Sequence, residues 1–186
     1  MKTFIIEHLE PELGEWALIE YRHISEIVGK ENLWFTNIKN NQDIKLLEKL
    51  GKVFSQSARE LALKDACILD PEASQTLTPE NSENFSYFIF GGILGDYPPK
   101  KRTNNSLTRF LPIHSFNIGK SQMSTDNAVY VVKKIAEGTP LDKMPFKENV
   151  EIRLNSIEST ILPYKYALIK NKPLISKELI KYLKEH

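Results

Sequence analysis

The sequence predicts an α/β fold with a ligand site beside its most aromatic strand. Short runs of β-branched and aromatic residues alternate with segments of helical period along the chain, which is the pattern of this class. The run Phe85–Phe90 is followed by Gly91, Gly92 and Gly95, three glycines within five residues. Such glycines indicate positive φ angles or close backbone approach. Because loops at the carboxyl ends of strands hold ligands in α/β proteins, we expect a flat ligand here.

The first seventy residues predict strands separated by helices. The strands are Thr3–Glu7, Leu33–Thr36 and Ala66–Leu69. The first helix runs from Glu15 to Gly29, the second from Asn41 to Gly51, and a further helical stretch covers Gln56–Lys64. Apolar residues recur at three- and four-residue spacing in the first two helices, and glycine favours helix termination.

Beyond the central strand the pattern becomes strand, glycine loop and helix. A short strand is predicted at Phe110–Ile113, a sharp turn at Gly119, and a helix that begins at Ser124 or Thr125 and ends at Gly138. The remaining predictions are a strand at Val150–Leu154, a turn at Leu162–Pro163, an apolar segment at Tyr164–Ile169 and an amphipathic helix at Ile175–Leu183. The chain length fits a single domain, with 149–186 as a C-terminal extension packed on it.

Composition excludes several classes of site. A net charge of +1 gives no global attraction to nucleic acid or membrane. The single cysteine, Cys67, permits no disulfide framework within one chain and is expected to be a buried core thiol. The four histidines show no metal-ligand spacing, so we expect no metal site. With no apolar run of membrane-spanning length and an N-terminus too short for a signal peptide, we expect a cytoplasmic protein without a membrane partner.

The sequence contains two clusters of charged residues that could face the predicted site. An acidic cluster comprises Glu7, Glu10, Glu12, Glu15 and Glu20, and a basic patch comprises Lys100, Lys101, Arg102 and Arg109. Glu7 ends the first strand, so its carboxylate is expected at the rim of the site. The basic patch adjoins the glycine loop and suits either phosphates or the acidic cluster as partner. Neither phosphate-loop pattern fits the glycines.

Three motifs resemble one family. They are IIEHxExxxxEWxxxEY at Ile5–Tyr21, FGGILGDxPPxxRT at Phe90–Thr103 and QMSTDNA at Gln122–Ala128, with LDP at Leu69–Pro71 and LPYKYAL at Leu162–Leu168 in agreement. These strings resemble the SPOUT-class methyltransferases related to the yeast ribosomal-protein arginine methyltransferase. The resemblance covers nearly the whole chain and implies one SPOUT domain with a trefoil-knotted, mostly parallel sheet flanked by helices.

The resemblance also implies the cofactor and its site. S-adenosylmethionine is expected in the knot, held mainly by backbone groups. The cofactor-binding residues it implies are Phe90, Gly91, Gly92, Ile93, Leu94, Gly95 and Asp96 in the first loop and Ile118, Gly119, Met123, Ser124 and Thr125 in the second. Knotted methyltransferases pair through the knot, whereas the arginine-modifying branch works alone, so monomer and knot-mediated homodimer both stay open.

The leading functional hypothesis is methylation of an arginine in a protein, with a ribosomal protein as one candidate. A guanidinium is protonated at neutral pH, so carboxylates must orient it and take a proton. Asp96 and Glu7 are the predicted catalytic residues, and Glu20, Arg102 and Glu158 the predicted substrate-binding residues. One alternative is an RNA methyltransferase that holds phosphates with Lys100, Lys101 and Arg102. The other is a non-enzymatic module that binds adenosine-like ligands.

Overall fold

A six-stranded parallel sheet forms the centre of the molecule. The structure is a computed structural model that describes residues 1–92 and 113–186. The strands are β1 (Thr3–His8), β2 (Leu33–Thr36), β3 (Lys52–Val53), β4 (Ala66–Leu69), β5 (Tyr87–Gly92) and β6 (His114–Phe116). They lie in the order β3-β2-β1-β5-β4-β6, and every pair is parallel. The predicted α/β class with a mostly parallel sheet is confirmed.

Helices cover the sheet. They are α1 (Glu15–Val28), α2 (Asn41–Leu47), α3 (Pro79–Ser82), α4 (Thr125–Ala136) and α5 (Lys177–Glu185). Alternate residues of β1 face opposite sides: Phe4 and Ile6 join the core beneath α1 and α4, whereas Ile5 packs in a second cluster on the other face. This is the two-residue period of a strand that is buried on both sides. No helix of the described residues is long and apolar enough to cross a membrane.

The C-terminal part adds an antiparallel sheet of strands β7 (Phe146–Arg153), β8 (Ser159–Ile169) and β9 (Lys172–Pro173). The predicted turn at Leu162–Pro163 is wrong, because both residues lie inside β8. The register with β7 shifts there, from Glu148 opposite Lys165 to Val150 opposite Leu162. Pro163 therefore falls in a β-bulge, one of the places where a strand tolerates proline.

Other boundaries also differ from the predictions. The helical stretch at Gln56–Lys64 is only a 3₁₀ turn, Ala58–Leu61, with a capping box at Ser57. The central strand is β5 at Tyr87–Gly92, two residues later than predicted, so Gly91 and Gly92 belong to the strand. Of the strand predicted at Phe110–Ile113, residues 110–112 lie outside the described part, and β6 begins after Ile113.

The trefoil knot stays a prediction, because residues 93–112 between β5 and β6 lie outside the described residues. The extension predicted at 149–186 also stays a prediction. Its antiparallel sheet begins at Phe146.

Asn127 joins α4 to the antiparallel sheet. Its side chain is fully buried. The amide nitrogen donates to the Leu174 carbonyl at 2.9 Å and to the Ser124 hydroxyl at 3.0 Å. The amide oxygen accepts from the backbone N–H of Ala167 at 2.9 Å. One side chain thus satisfies backbone groups of two segments that would otherwise be buried without partners.

We expect Asn127→Ala to reduce the free energy of unfolding by roughly 2–4 kcal/mol, because it leaves a buried N–H and a buried C=O unpaired. Asn155→Ala is the matched control, since its amide bonds lie in the exposed β7–β8 turn. That variant should lose less than about 1 kcal/mol, because water replaces the lost partner. Urea denaturation measures both, and equal losses would contradict the role assigned to Asn127.

Candidate active site

The carboxyl ends of three adjacent strands meet at one edge of the sheet. In the strand order, β4 lies between β5 and β6. The backbone N–H of Asp70, just after β4, donates to the Phe116 carbonyl at 2.9 Å. Thr76 and Asn117 then form a parallel bridge. The segment 70–77 therefore lies beside the second predicted cofactor loop, a neighbour that the sequence analysis did not include. The sequence feature that could have indicated this segment is Asp70-Pro71, directly after a buried strand.

Asn117 holds that second loop in place. Its amide nitrogen donates to the carbonyls of Ala73 and Gln75 at 2.8 and 3.0 Å. Its oxygen accepts from the Thr76 hydroxyl and from the backbone N–H of Gly119, each at 3.0 Å. Because all of these bonds are buried or partly buried, the loop between β6 and α4 is fixed to the segment after β4.

Gly119 adopts a backbone conformation that favours glycine. Its φ angle is +98°, a conformation that side chains rarely adopt. Among residues 1–92 and 113–186, a Cβ placed there would meet the Lys165 amino group at 3.8 Å and no nearer atom. The described part of the chain therefore leaves the backbone of Gly119 uncovered, and its role in cofactor binding stays a prediction.

Several other predicted cofactor residues have side chains that are packed inside the protein. Phe90 stacks on Phe4 with ring centroids 6.4 Å apart, and Ile118 packs in the same core. Met123 is half-buried, whereas Ser124 and Thr125 are buried at the start of α4. Ile93, Leu94, Gly95 and Asp96 lie outside the described residues.

Gly92 is required by packing. A Cβ at this position would overlap the Tyr21 hydroxyl and lie 2.7 Å from Cγ2 of Ile6. The glycine thus lets α1 approach the sheet, and its space is filled by the protein. Gly91 is half-buried beside it and pairs with Glu7 of β1.

The expectation that Glu7 lies at the rim of the site is wrong. Its carboxylate is 1% exposed. It accepts hydrogen bonds from the Thr36 and Ser57 hydroxyls at 2.5 Å and from the backbone N–H of Ala58 at 2.9 Å. Three donors satisfy the carboxylate and tie β1 to the segment after β3. Its catalytic role stays a prediction, but these contacts describe a structural anchor.

His8 is also held inside the protein. Its Nδ1 shares a 2.9 Å hydrogen bond with the Tyr21 hydroxyl. Burial lowers the pKa of His8 and raises the pKa of Tyr21 above its usual range, so both are neutral at pH 7. Cys67 is a buried core thiol as predicted, with its pKa raised by burial to about 12. Within residues 1–92 and 113–186, no group of His, Cys, Asp and Glu is arranged to hold a metal ion.

Of the other two predicted substrate residues, Glu158 lies in the described part of the chain. Glu158 is exposed in the β7–β8 turn, where it accepts from Asn155 at 2.7 Å. It precedes Tyr166 of β8 by eight positions, which correspond to about 26 Å at the usual rise of a strand. Arg102 lies outside the described residues, together with Lys100, Lys101 and Arg109.

Glu20, a predicted substrate-binding residue, lies against Thr125 of the second predicted cofactor loop. It is 7% exposed, and its Oε1 accepts from the indole N–H of Trp16 at 2.8 Å. Desolvation, followed by the nearby charge of Asp126, raises the pKa of Glu20 to about 8. Donor groups of Trp16 and Thr125 oppose this rise but do not cancel it. Glu20 is therefore a buried carboxyl group that retains its proton near neutral pH.

Asp126, its neighbour, has the partners that Glu20 lacks. Its Oδ2 lies 2.6 Å from His23 Nδ1, and its Oδ1 accepts from the Ser124 hydroxyl at 2.5 Å and from the Asn127 N–H at 2.8 Å. No Lys, Arg or His of the described residues makes a salt bridge with Glu20. Two carboxyl groups are thus close together, and the imidazole of His23 engages only one of them.

Known proteins resemble this chain over nearly its whole length. The family model described as "Protein arginine N-methyltransferase SFM1-like" matches residues 3–186. Over 200 residues the chain is 35% identical to protein arginine N-methyltransferase SFM1 of Saccharomyces cerevisiae, covering 98% of this chain and 94% of that protein.

Solved structures agree. The crystal structure of the yeast arginine methyltransferase SFM1 complexed with SAH matches with a TM-score of 0.90 at 32% identity, covering 98% of this chain and 94% of that chain. The crystal structure of a dual specific Trm10 from Thermococcus kodakaraensis matches with a TM-score of 0.62 at 16% identity, covering 77% of this chain and 96% of that chain. The second similarity is one of fold.

Glu20 gives the stability of the protein an unusual pH dependence. Its folded pKa of about 8 lies above the unfolded value of 4.5, so its stabilising contribution is complete below pH 4.5 and is lost as the pH rises through 8. Glu20→Gln keeps the neutral form at every pH. We therefore expect similar melting temperatures for this variant and the native protein at pH 5, and a more stable variant at pH 9, by on the order of a few kcal/mol.

Glu137→Gln is the control with opposite sign. The pKa of Glu137 is lowered by hydrogen bonds from Lys133 and Lys134 on the surface, so this substitution should slightly destabilise the protein at pH 9. A Glu20→Gln variant that is less stable than the native protein at pH 9 would show that the carboxyl group is ionised without cost.

Proposed function

The chain belongs to the SFM1-like family of protein arginine N-methyltransferases, and on that premise we propose that it transfers a methyl group from S-adenosylmethionine to an arginine of a protein. The observation that carries the proposal is the family match over residues 3–186, nearly the full chain. The fold agrees, since the parallel sheet matches the structure of yeast SFM1 at a TM-score of 0.90.

The second loop fits S-adenosylmethionine. A flat adenine needs backbone donors and acceptors at fixed spacing, with no side chain above them. Gly119 offers open backbone that a Cβ would fill, and Asn117 fixes the loop that carries it. We propose that residues 117–125 hold the cofactor together with the backbone of residues 90–96, of which 93–96 lie outside the described part. When bound, the cofactor supplies an electrophilic methyl group.

Two buried carboxyl groups near the start of α4 favour arginine over RNA as the acceptor. An arginine side chain is a cation and requires carboxylates, whereas an RNA acceptor requires cations for its phosphates. The described acidic groups at the start of α4 are Glu20 and Asp126, and both are buried. We therefore propose a protein acceptor. Asp96 stays a predicted catalytic residue outside the described part of the chain.

The same proposal extends to the target protein, the basic patch, the cellular location and the oligomeric state. A ribosomal protein as target is carried over from the resemblance, and Lys100, Lys101 and Arg102 would then contact ribosomal RNA beside it. The protein would work in the cytoplasm, as a monomer or as a homodimer that pairs through the predicted knot.

Two glycines provide a matched test of cofactor binding. Gly119 and Gly138 have φ angles of +98° and +96°, and in the described part of the chain a Cβ at either position clashes with nothing, so alanine strains both positions alike. We expect both variants to lose similar stability. Only Gly119→Ala should lose affinity for S-adenosylmethionine and S-adenosylhomocysteine, by roughly tenfold or more in calorimetry, because its methyl group occupies the ligand's place. Equal affinities in the two variants would remove residue 119 from the site.

The acceptor is tested with radiolabelled S-adenosylmethionine and a ribosomal extract. Label should enter a protein band, resist nuclease and disappear with protease. Amino-acid analysis of the hydrolysed band should then yield methylarginine. Label that nuclease removes and protease leaves would assign the protein to RNA methylation instead.

A further inference from the structure

We propose that Glu20 binds the acceptor guanidinium and takes up the proton that this group loses on methylation, beside the aromatic cluster that Trp16, Tyr164 and Tyr166 form. The inference rests on the proposed function and deepens it, because it assigns the arginine subsite to a particular place. That place is the junction of α1, the start of α4 and strand β8.

The position of Glu20 meets the first requirement, which is proximity to the methyl donor. Thr125, the last residue of the second predicted cofactor loop, presents its backbone N–H and its hydroxyl to the Glu20 carboxyl group. On the other side, the Trp16 indole fixes Oε1 at 2.8 Å. The carboxyl group is thus held on a helix and adjoins the loop directly.

A second and independent observation points to a missing ligand. The Tyr166 side chain is 1% exposed, and its hydroxyl has no hydrogen-bond partner within residues 1–92 and 113–186. Ser124 lies close enough to lower the pKa of Tyr166, but the two hydroxyls do not meet with hydrogen-bond geometry. Asp126 and Glu20 act on the same hydroxyl, so it faces the acidic pair. A buried polar group without a partner is costly, and a ligand rich in N–H donors would satisfy it.

The aromatic cluster beside Glu20 suits a planar cation. Trp16, Tyr164 and Tyr166 belong to one packed cluster with Val150 and Leu162 of the antiparallel sheet. Tyr182 of α5 packs against the Trp16 indole edge to face, with centroids 6.1 Å apart. Guanidinium groups bind between carboxylates and aromatic rings, because the ring faces are electronegative and the carboxylate accepts the N–H groups.

The charges around Glu20 leave room for one more cation. Glu20 is faced by Trp16 of its own helix, by Thr125 and Asp126 of α4, and by Tyr166 of β8. Asp126 already engages His23 at 2.6 Å. The Arg22 side chain pairs with Glu178 on the surface. Because no cation of residues 1–92 and 113–186 pairs with Glu20, an incoming guanidinium should compensate its charge and drive its ionisation.

The proton balance follows. Methylation forms an N–C bond at the guanidinium and breaks the S–C bond of the donor, whose electron pair stays on sulfur as a neutral thioether. The attacking nitrogen must give up one proton, or the product would carry a second charge. The Glu20 carboxylate accepts that proton and becomes a carboxylic acid. Because the pKa of Glu20 in the free protein is about 8, it accepts a proton far more readily than an ordinary carboxylate.

Trp16 reports the state of Glu20 without any turnover. The chain has two tryptophans, so Trp34→Phe leaves Trp16 as the single reporter. Its fluorescence should change with a midpoint near pH 8, and Glu20→Gln should abolish that step. Ethylguanidinium chloride, a model of the arginine side chain, should move the midpoint to lower pH. Butylammonium chloride, a lysine-like cation, should not.

Kinetics then separate a catalytic role from a structural one. Glu20→Gln should retain affinity for S-adenosylmethionine within a few-fold but lower the single-turnover rate on the order of a hundredfold. In the native enzyme kcat/KM should rise with pH to a plateau above about pH 8, and the variant should lose this rise. Glu15→Gln, an exposed acid on the same helix, is the matched control and should change nothing.

Three results would overturn the proposal: a native rate and pH profile in Glu20→Gln, a Trp16 titration that Glu20→Gln leaves intact, or equal responses to the two cations. Each leaves the proposed function standing, provided that labelled methylarginine still forms. If labelling instead goes to RNA, the fluorescence titrations still decide whether a guanidinium site exists at Glu20. Should Glu20→Gln fold poorly, Glu20→Asp and the titrations of the protein with Trp34→Phe alone decide the same question.

Discussion

The side chains at the start of α4 hold the rest of this structure together. Asp126 binds His23 of α1, and Asn127 binds the backbone of the antiparallel sheet at Ala167 and Leu174. Three layers thus meet at two consecutive residues, both buried. The loop that precedes them is anchored at both ends, since Ser124 bonds to Asp126 at one end and Asn117 bonds to the segment after β4 at the other. Rigid support of this kind lets a loop present backbone groups at fixed positions.

The same junction brings carboxyl groups together at a thermodynamic cost. Asp126 is compensated by three donors, whereas Glu20 is compensated by an indole and by Thr125, without a cation from the described part of the chain. Burying an unpaired acid is unfavourable, and proteins retain such groups where a ligand completes them. The proposed guanidinium site would explain why α1 buries an acid that has no cation as partner in the described part of the chain.

Most elements of the fold were predictable because their signals are local. The alternating β-branched runs and the glycines after α1 and α2 set strands and helices within a few residues. Local reasoning was wrong where partners decide the outcome. Pro163 reads as a turn, yet β7 supplies a bulge that accommodates it. Packing also added a role that local reasoning did not predict for Gly92, whose missing side chain makes room for Tyr21. Glu7 reads as a rim acid, yet it bonds to hydroxyls from residues distant in sequence.

By itself, the sequence determined the fold class, the family through its motifs, and the two loops that were candidates for the cofactor. These depend on the order and spacing of residues, which the chain carries directly. Only the tertiary structure decided which acid stands at the second loop. Glu7 and Glu20 have the same chemistry and end similar apolar stretches in the sequence. They differ because donors surround one carboxylate and an acid faces the other, and that difference arises only when separate strands and helices pack together.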